Sequence, residues 1–143
     1  MPYKYLDNIA QADIAFEAWG KNPEEMIISA CTATENIMIE NINSIYPKEI
    51  KNLHIKENSL EMLVFRTIEE LIFFKDSEKI FLLPADINLR NKNNYFYLDI
   101  IFQGEKINPD RHNPGVDIKG ITLHNFKVEQ IDNQWKTTVI LDI

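Results

Sequence analysis

From Ile80 to its last residue the chain reads as strands, and this tract most constrains what it can fold into. Ile80 to Leu89 and Tyr95 to Phe102, the latter running into Gly104, flank the polar turn Asn91-Lys92-Asn93-Asn94. Ile118 to Ile131 and Trp135 to Leu141 flank Asp132-Asn133, a residue pair that tolerates the left-handed geometry of a tight hairpin. Between the hairpins, Asn108-Pro109-Asp110-Arg111-His112-Asn113-Pro114-Gly115 is an irregular loop punctuated by Pro and Gly.

Helix signals are confined to the first half. Ile14 to Trp19 alternates in strand fashion, with Ile14, Phe16 and Ala18 on one face and Gly20 closing it. Asn22 then reads as an N-cap, Pro23 as the first helical residue, and Glu25 as the residue that bonds back toward the cap. Met26, Ala30, Ala33 and Ile37 recur at three- and four-residue spacing, an apolar stripe that should lie on a sheet. After Pro47 a short strand runs through Leu53 and Ile55. Asn58 with Glu61 repeats the capping pattern and predicts a second helix over about Ser59 to Lys75, burying Leu60, Val64, Ile68 and Leu71. On its other side Met62 and Phe73 flank Glu69, either under a neighbouring strand or on a partner surface. Two helices with six or more mostly antiparallel strands make an α+β domain, and residues 1–143 are expected to form one domain with a core of its own.

Charge and composition exclude several function classes. A formal charge of −7, from 22 acidic against 15 basic residues with the lysines scattered, repels phosphate backbones, so RNA is expected to be reached only indirectly, through another protein. The single Cys31, in mid-helix beside Met26 and Ala30, excludes an internal disulfide and reads as a core thiol. His54, His112 and His124 form no His-x-x-x-His or Cys-x-x-Cys pair, so the usual zinc spacing is missing. Gly104, Gly115 and Gly120 stand singly, without a phosphate-binding loop. No leader or membrane-length apolar run occurs, and a cytoplasmic protein is the expectation. His112 stands out among the histidines because it lies in the Pro/Gly loop, and Lys119 because it follows that loop at the start of a strand.

The chain ends on Leu141-Asp142-Ile143, and near its other end carries a second Asp-Ile, Asp13-Ile14. If the fold brings residue 13 beside residue 142, two aspartates and the terminal α-carboxylate meet. Carboxylates so placed repel unless a proton, a basic group or a cation lies between them, and a hard, oxygen-liganded cation is the simplest occupant. The alternative is that both are solvated strand-end residues. A lysine at position 119 could neutralise such a cluster or hold a phosphate as a point charge.

Taken in order, Tyr5-Leu6-Asp7, Ala12-Asp13-Ile14-Ala15-Phe16, Ala18-Trp19-Gly20 and Glu24-Glu25 resemble the opening of the archease family. Gly104-Glu105, His112, Ile118-Lys119-Gly120-Ile121-Thr122-Leu123-His124, Val128-Glu129 and Asp142-Ile143 continue the resemblance in the family's order, across essentially the whole chain. One departure is the family's histidine before Asp13: the chain has Ile9-Ala10-Gln11 there, or Asp7-Asn8-Ile9-Ala10 if two residues are inserted, and the histidine is missing either way. The resemblance implies a non-enzymatic activator of the RtcB-type RNA ligase, promoting guanylylation of the ligase histidine by GTP and multiple turnover in tRNA splicing and RNA repair. It implies a divalent metal, calcium first and magnesium or manganese next, on Asp13, Asp142 and Ile143. It implicates Asp7 and Lys119 as well, and His112 is a further candidate. The competing expectations are a chaperone-like binding module with Met62 and Phe73 as its surface, and, more weakly, a metal-dependent hydrolase using Asp13 and Asp142.

Overall fold

The computed structural model describes residues 2–6 and 13–143. In chain order they form β1 (Tyr3–Leu6), β2 (Asp13–Gly20), α1 (Pro23–Met38), a 3-10 turn (Ile42–Ser44), β3 (Glu49–Glu57), α2 (Leu60–Glu78), β4 (Ile80–Lys92), β5 (Tyr95–Lys106), β6 (Gly120–Ile131) and β7 (Gln134–Asp142). The strands make a four-stranded sheet of order β1-β2-β7-β6 and a three-stranded sheet of order β3-β5-β4, antiparallel throughout. The α+β expectation holds, with seven strands.

Local chemistry explains the element ends. Asn22 caps α1 by accepting the Glu25 N–H at 2.9 Å, and the Glu25 carboxylate reaches back to the N–H of Lys21, one residue before the cap, at 2.7 Å. The second helix begins one residue later than the Asn58 pattern implies. Ser59 is its cap, accepting from the Met62 N–H, so Glu61 falls in the first turn rather than at the reciprocal position. It also runs three residues past Lys75, until Lys79 adopts a left-handed conformation and its N–H closes on the Lys75 carbonyl. Asn93-Asn94 and Asp132-Asn133 all have positive φ, as two-residue hairpin turns between right-twisted strands require. The short edge strand β1 and the 3-10 turn lie outside the sequence expectations; four residues are too few to show alternation.

Each helix touches both sheets: α1 packs on β2 and β4, and α2 on β6, β3 and β4. The α1 stripe Met26, Ala30, Ala33 and Ile37 is buried, as are Leu60, Val64, Ile68 and Leu71 of α2. They enclose Phe16, Leu82, Leu98, Ile100, Phe102, Val139 and Leu141, and each such large side chain contributes about 1.5–3 kcal/mol by leaving water. Cys31 is a core thiol, its pKa pushed up by burial. Phe73 is 58% exposed and Met62 is half-buried.

Two buried carboxyls carry opposite electrostatics. Glu105, 3% exposed on β5, is surrounded by Arg111, by His112 Nε2 at 2.8 Å and by the Tyr46 N–H at 3.0 Å. Burial raises its pKa, but the Arg111, Tyr46 and His112 bonds outweigh it and hold the carboxyl at about 2. This hub fastens the loop between the hairpins, because His112 Nδ1 also accepts the Asn108 N–H at 2.9 Å. Accepting there places the ring proton on Nε2, which then donates to Glu105. Glu35 of α1 is fully buried, and among the described residues neither of its carboxyl oxygens has a hydrogen-bond partner in good geometry. Burial pushes its carboxyl well above the ordinary value, which the Leu82 amide and the Lys75 charge offset only in part.

The two signs predict opposite pH responses. The folded state holds Glu35 protonated where the unfolded chain, near 4.5, has released the proton, so its contribution is present below that value and is lost as pH rises. Glu35→Gln, which cannot ionise, should therefore gain on the native chain in melting temperature between about pH 5 and pH 8. A constant difference across that range would contradict a protonated Glu35. Glu105 is depressed, so its contribution is present above its ordinary 4.5 and is lost as pH falls toward about 2. Glu105→Gln should lower the melting temperature by several degrees at neutral pH and flatten its decline in acid. An acid limb as steep as that of the native chain would contradict the ionised hub.

Candidate functional site

The strand β2 begins at Asp13 and pairs with β7, which ends at Asp142. The hydrophobic alternation sets their register. Ile14, Phe16 and Ala18 face Leu141, Val139 and Thr137 on the core side, so Asp13 and Asp142, which are direct partners, share the opposite face. Directly opposed residues in an antiparallel pair hold their Cβ atoms about 4.5–5.5 Å apart. A one-residue slip would put both the apolar set and the aspartates on the wrong faces, so core packing itself aligns the two carboxylates.

The third strand of the row is β6. Its first residue, Gly120, pairs with Asp142 from the other side, and the Lys119 N–H donates to the Asp142 carbonyl at 2.7 Å. Lys119 lies just before the strand, with its side chain exposed. Its position is fixed from beneath. Ile118 is wholly buried, and its carbonyl accepts from Lys75 Nζ at 2.8 Å, while the same ammonium binds Asp117 and Asp76 at 2.6 Å each. Burial opposes the Lys75 charge, but Asp117 and Asp76 outweigh it and hold its pKa above the ordinary lysine value. An α2 lysine only 7% exposed thus clamps the segment that brings Lys119 to Asp142.

The donor chemistry suits a hard cation. Asp13 is half-buried and Asp142 exposed, so oxygen ligands meet at the surface. Among the described residues no third His, Cys, Asp or Glu side chain completes a cage. Calcium takes about 6–8 oxygens. Two aspartates supply at most four, and the balance would have to come from the neighbouring Ile143 carboxylate, from chain outside the described residues, from water or from a partner. Among the described residues such a site is open on one side. Asp7 lies outside the described residues.

The structure therefore brings Asp13, Asp142, Ile143 and Lys119 to one end of the four-stranded sheet. It places His112, 2% exposed, in the Glu105 hub instead, where both ring nitrogens are engaged in holding the loop. Sequence reasoning missed Lys75 as a clamp, although a signal existed: it follows Leu71 at the four-residue spacing of the buried stripe. It also missed Arg111 and the ion pair with Glu105, which needs residues of a strand and a loop to meet in space.

Residues 3–143 match the family model described as "Archease protein family (MTH1598/TM1083)". The archease of Pyrobaculum islandicum is 31% identical over 143 residues, covering 99% of this chain and 95% of that protein. That of Sulfurisphaera tokodaii is 32% identical over 132 residues, covering 92% and 93%. The solution structure of Methanobacterium thermoautotrophicum protein 1598 superposes with a TM-score of 0.86 at 25% identity, over 99% of each chain. The Thermotoga maritima crystal structure, described as an archease and possible chaperone, gives 0.65 at 25% identity, over 96% of this chain and 97% of that one. With the whole described fold and both ends of the carboxylate row inside the matched span, the chain belongs to the archease family.

Proposed function

We propose that this protein is a non-catalytic activator of an RtcB-type RNA ligase, acting in the cytoplasm to promote guanylylation of the ligase by GTP and its repeated turnover in tRNA splicing and RNA repair. The observation that carries this reading is the pairing of Asp13 with Asp142 beside Lys119 in a chain of the archease family. In this reading Asp13, Asp142 and the α-carboxylate of Ile143 hold a divalent cation, calcium first, with magnesium or manganese as alternatives. Bound there, the cation would supply positive charge to phosphate oxygens. Lys119 offers a second, fixed positive charge to the same phosphates, and Asp7 joins them by the family resemblance. RNA is met through the ligase, since the chain's charge of −7 opposes a direct grip on it.

A second reading is a chaperone-like protein-binding module. It is favoured by Phe73, 58% exposed on α2, and by the description of the Thermotoga maritima relative as a possible chaperone. It requires holdase activity without ligase or metal.

Substoichiometric amounts of the protein should speed both ligase-GMP formation and multiple-turnover joining. Asp13→Ala and Lys119→Ala should each abolish that stimulation while leaving cooperative thermal unfolding intact. A guanylylation rate unchanged over a range of protein, GTP and divalent metal would sink the ligase reading. The carboxy end gives a separate test of the metal site. Extending the chain beyond Ile143 replaces a carboxylate by a neutral carbonyl, a weaker donor to a hard cation. Such an extension should weaken calcium binding in calorimetric titration about as much as Asp142→Ala does, whereas an extension before Met1 should not. Equal affinity in extended and native chains would remove the terminal carboxylate from the ligand set.

A further inference from the structure

Glu35 is a buried acid that the carboxylate site does not use. It lies in α1 with no exposure, and among the described residues neither carboxyl oxygen has a hydrogen-bond partner in good geometry. Such a group costs stability that an apolar side chain of the same size would not, so its presence calls for a state in which it is satisfied. The groups around it supply one cation. Cys31, one turn earlier on α1, is held neutral by burial, and Tyr3 and Tyr5 of β1 engage Asn36 and the Ala33 carbonyl instead. On β4 the Leu82 amide faces the carboxyl, the described residues of β2 and β7 place no charge on it, and from α2 comes the charge of Lys75.

That ammonium is turned the other way, onto Asp117 and Asp76 at 2.6 Å each and the Ile118 carbonyl at 2.8 Å. Both carboxylates are largely exposed, 76% and 54%, so water can replace the lysine on them at little cost. A cavity of about 160 Å³, lined by Met38, Phe81, Asp117 and Lys75 itself, gives the lysine stem room. Met38 follows Glu35 by three residues and shares its face of α1, so that room lies on the side of the acid. We propose that Glu35 is a second seat for the Lys75 ammonium: when the carboxyl releases its proton to solvent, Lys75 turns inward to pair with it, lets go of Asp117 and Ile118, and frees the segment that holds Lys119 against Asp142. No bond but the carboxyl O–H is broken. Burial keeps the acid protonated while the lysine points outward, and the arriving ammonium offsets the cost of ionising it. The inward state binds one proton fewer than the outward one, so its population relative to the outward state rises about tenfold per pH unit. The fold thus contains a pH-sensitive release of Lys119, and that release does not depend on the ligase reading.

NMR of the full chain, labelled with carbon-13 and nitrogen-15 and titrated from about pH 6 to about pH 10, tests it. The Glu35 carboxyl carbon reports ionisation, the Lys75 side-chain shifts report where the ammonium sits, and the Ile118 and Lys119 amides report the clamp. In the native chain all of these should move together as a single one-proton titration. In Glu35→Gln the Ile118 and Lys119 amides should keep their low-pH positions throughout; Glu35→Leu, which fills the same space without an acid, gives the same reading should the glutamine variant fold poorly. A Glu35 carboxyl that keeps its proton to the top of the range overturns the proposal. So does one that ionises while the Ile118 and Lys119 amides stay still, or a movement of those amides that persists when Glu35 is replaced. Every quantity is read on the free protein, so a failure of ligase stimulation leaves this test standing.

Discussion

The antiparallel pairing of β2 with β7 is the constraint on which the rest of the molecule depends. It joins residues near the two ends of the chain, 129 positions apart at Asp13 and Asp142, and it does so along eight consecutive partners. Closing so long a loop is entropically costly, and the return comes from the core face, where Phe16, Val139 and Leu141 are fully buried under α1. The carboxylate row contributes nothing to that return. Two aspartates face to face are a cost which the apolar pairs on the other side of the strands outweigh. The alignment of the two carboxylates at this sheet end is thus carried by a register that hydrophobic packing enforces.

The second constraint is the use of buried charge to place irregular backbone. The segment from Ile107 to Lys119 joins the two hairpins with little regular structure, so its polar groups need partners from elsewhere. Glu105 with Arg111 and His112 secures the first part, and Lys75 with Asp117 and the Ile118 carbonyl secures the last. An apolar residue at 75 would pack more cheaply, because burying an ammonium is repaid only by good partners. What the lysine supplies is direction: three oxygens converge on one atom, and the residue after Ile118 is delivered to Asp142. The sequence neighbours Ile118 and Lys119 then divide the work, one anchoring and one charged at the surface.

Most of the architecture was legible because it rests on short-range signals. The Asn22-Pro23-Glu25 start, the α1 stripe, the Asp132-Asn133 turn and the long strand tract each express local backbone preferences, and each holds. The boundary errors are local too: Asn58 and Ser59 are both competent caps, and choosing between them depends on which N–H the side chain can reach. The division into two sheets and the strand order were not legible, since no local feature of β5 says that it will sit between β3 and β4. The carboxylate meeting was legible only as a condition, and the β2–β7 register meets it. His112 was legible only in part. A histidine in a Pro/Gly loop reads as functional, and nothing local to it says that the fold buries that ring against Glu105 and edge-on to Phe81.

An open carboxylate row on an acidic protein makes chemical sense as half of a site. Two aspartates fall short of the coordination a hard cation seeks, and a surface position leaves the remaining oxygens to come from outside the described chain. A closed cage would hold a cation tightly and screen its charge; an incomplete one leaves charge directed outward, where a partner's phosphates can use it. Lys119, exposed and anchored through its own main chain to Asp142, brings a positive charge to the same sheet end. On the proposed reading, the protein assists phosphate chemistry by completing another protein's centre, which accounts for a sheet end that, among the described residues, pairs two carboxylates and a lysine with no cysteine or histidine placed beside them.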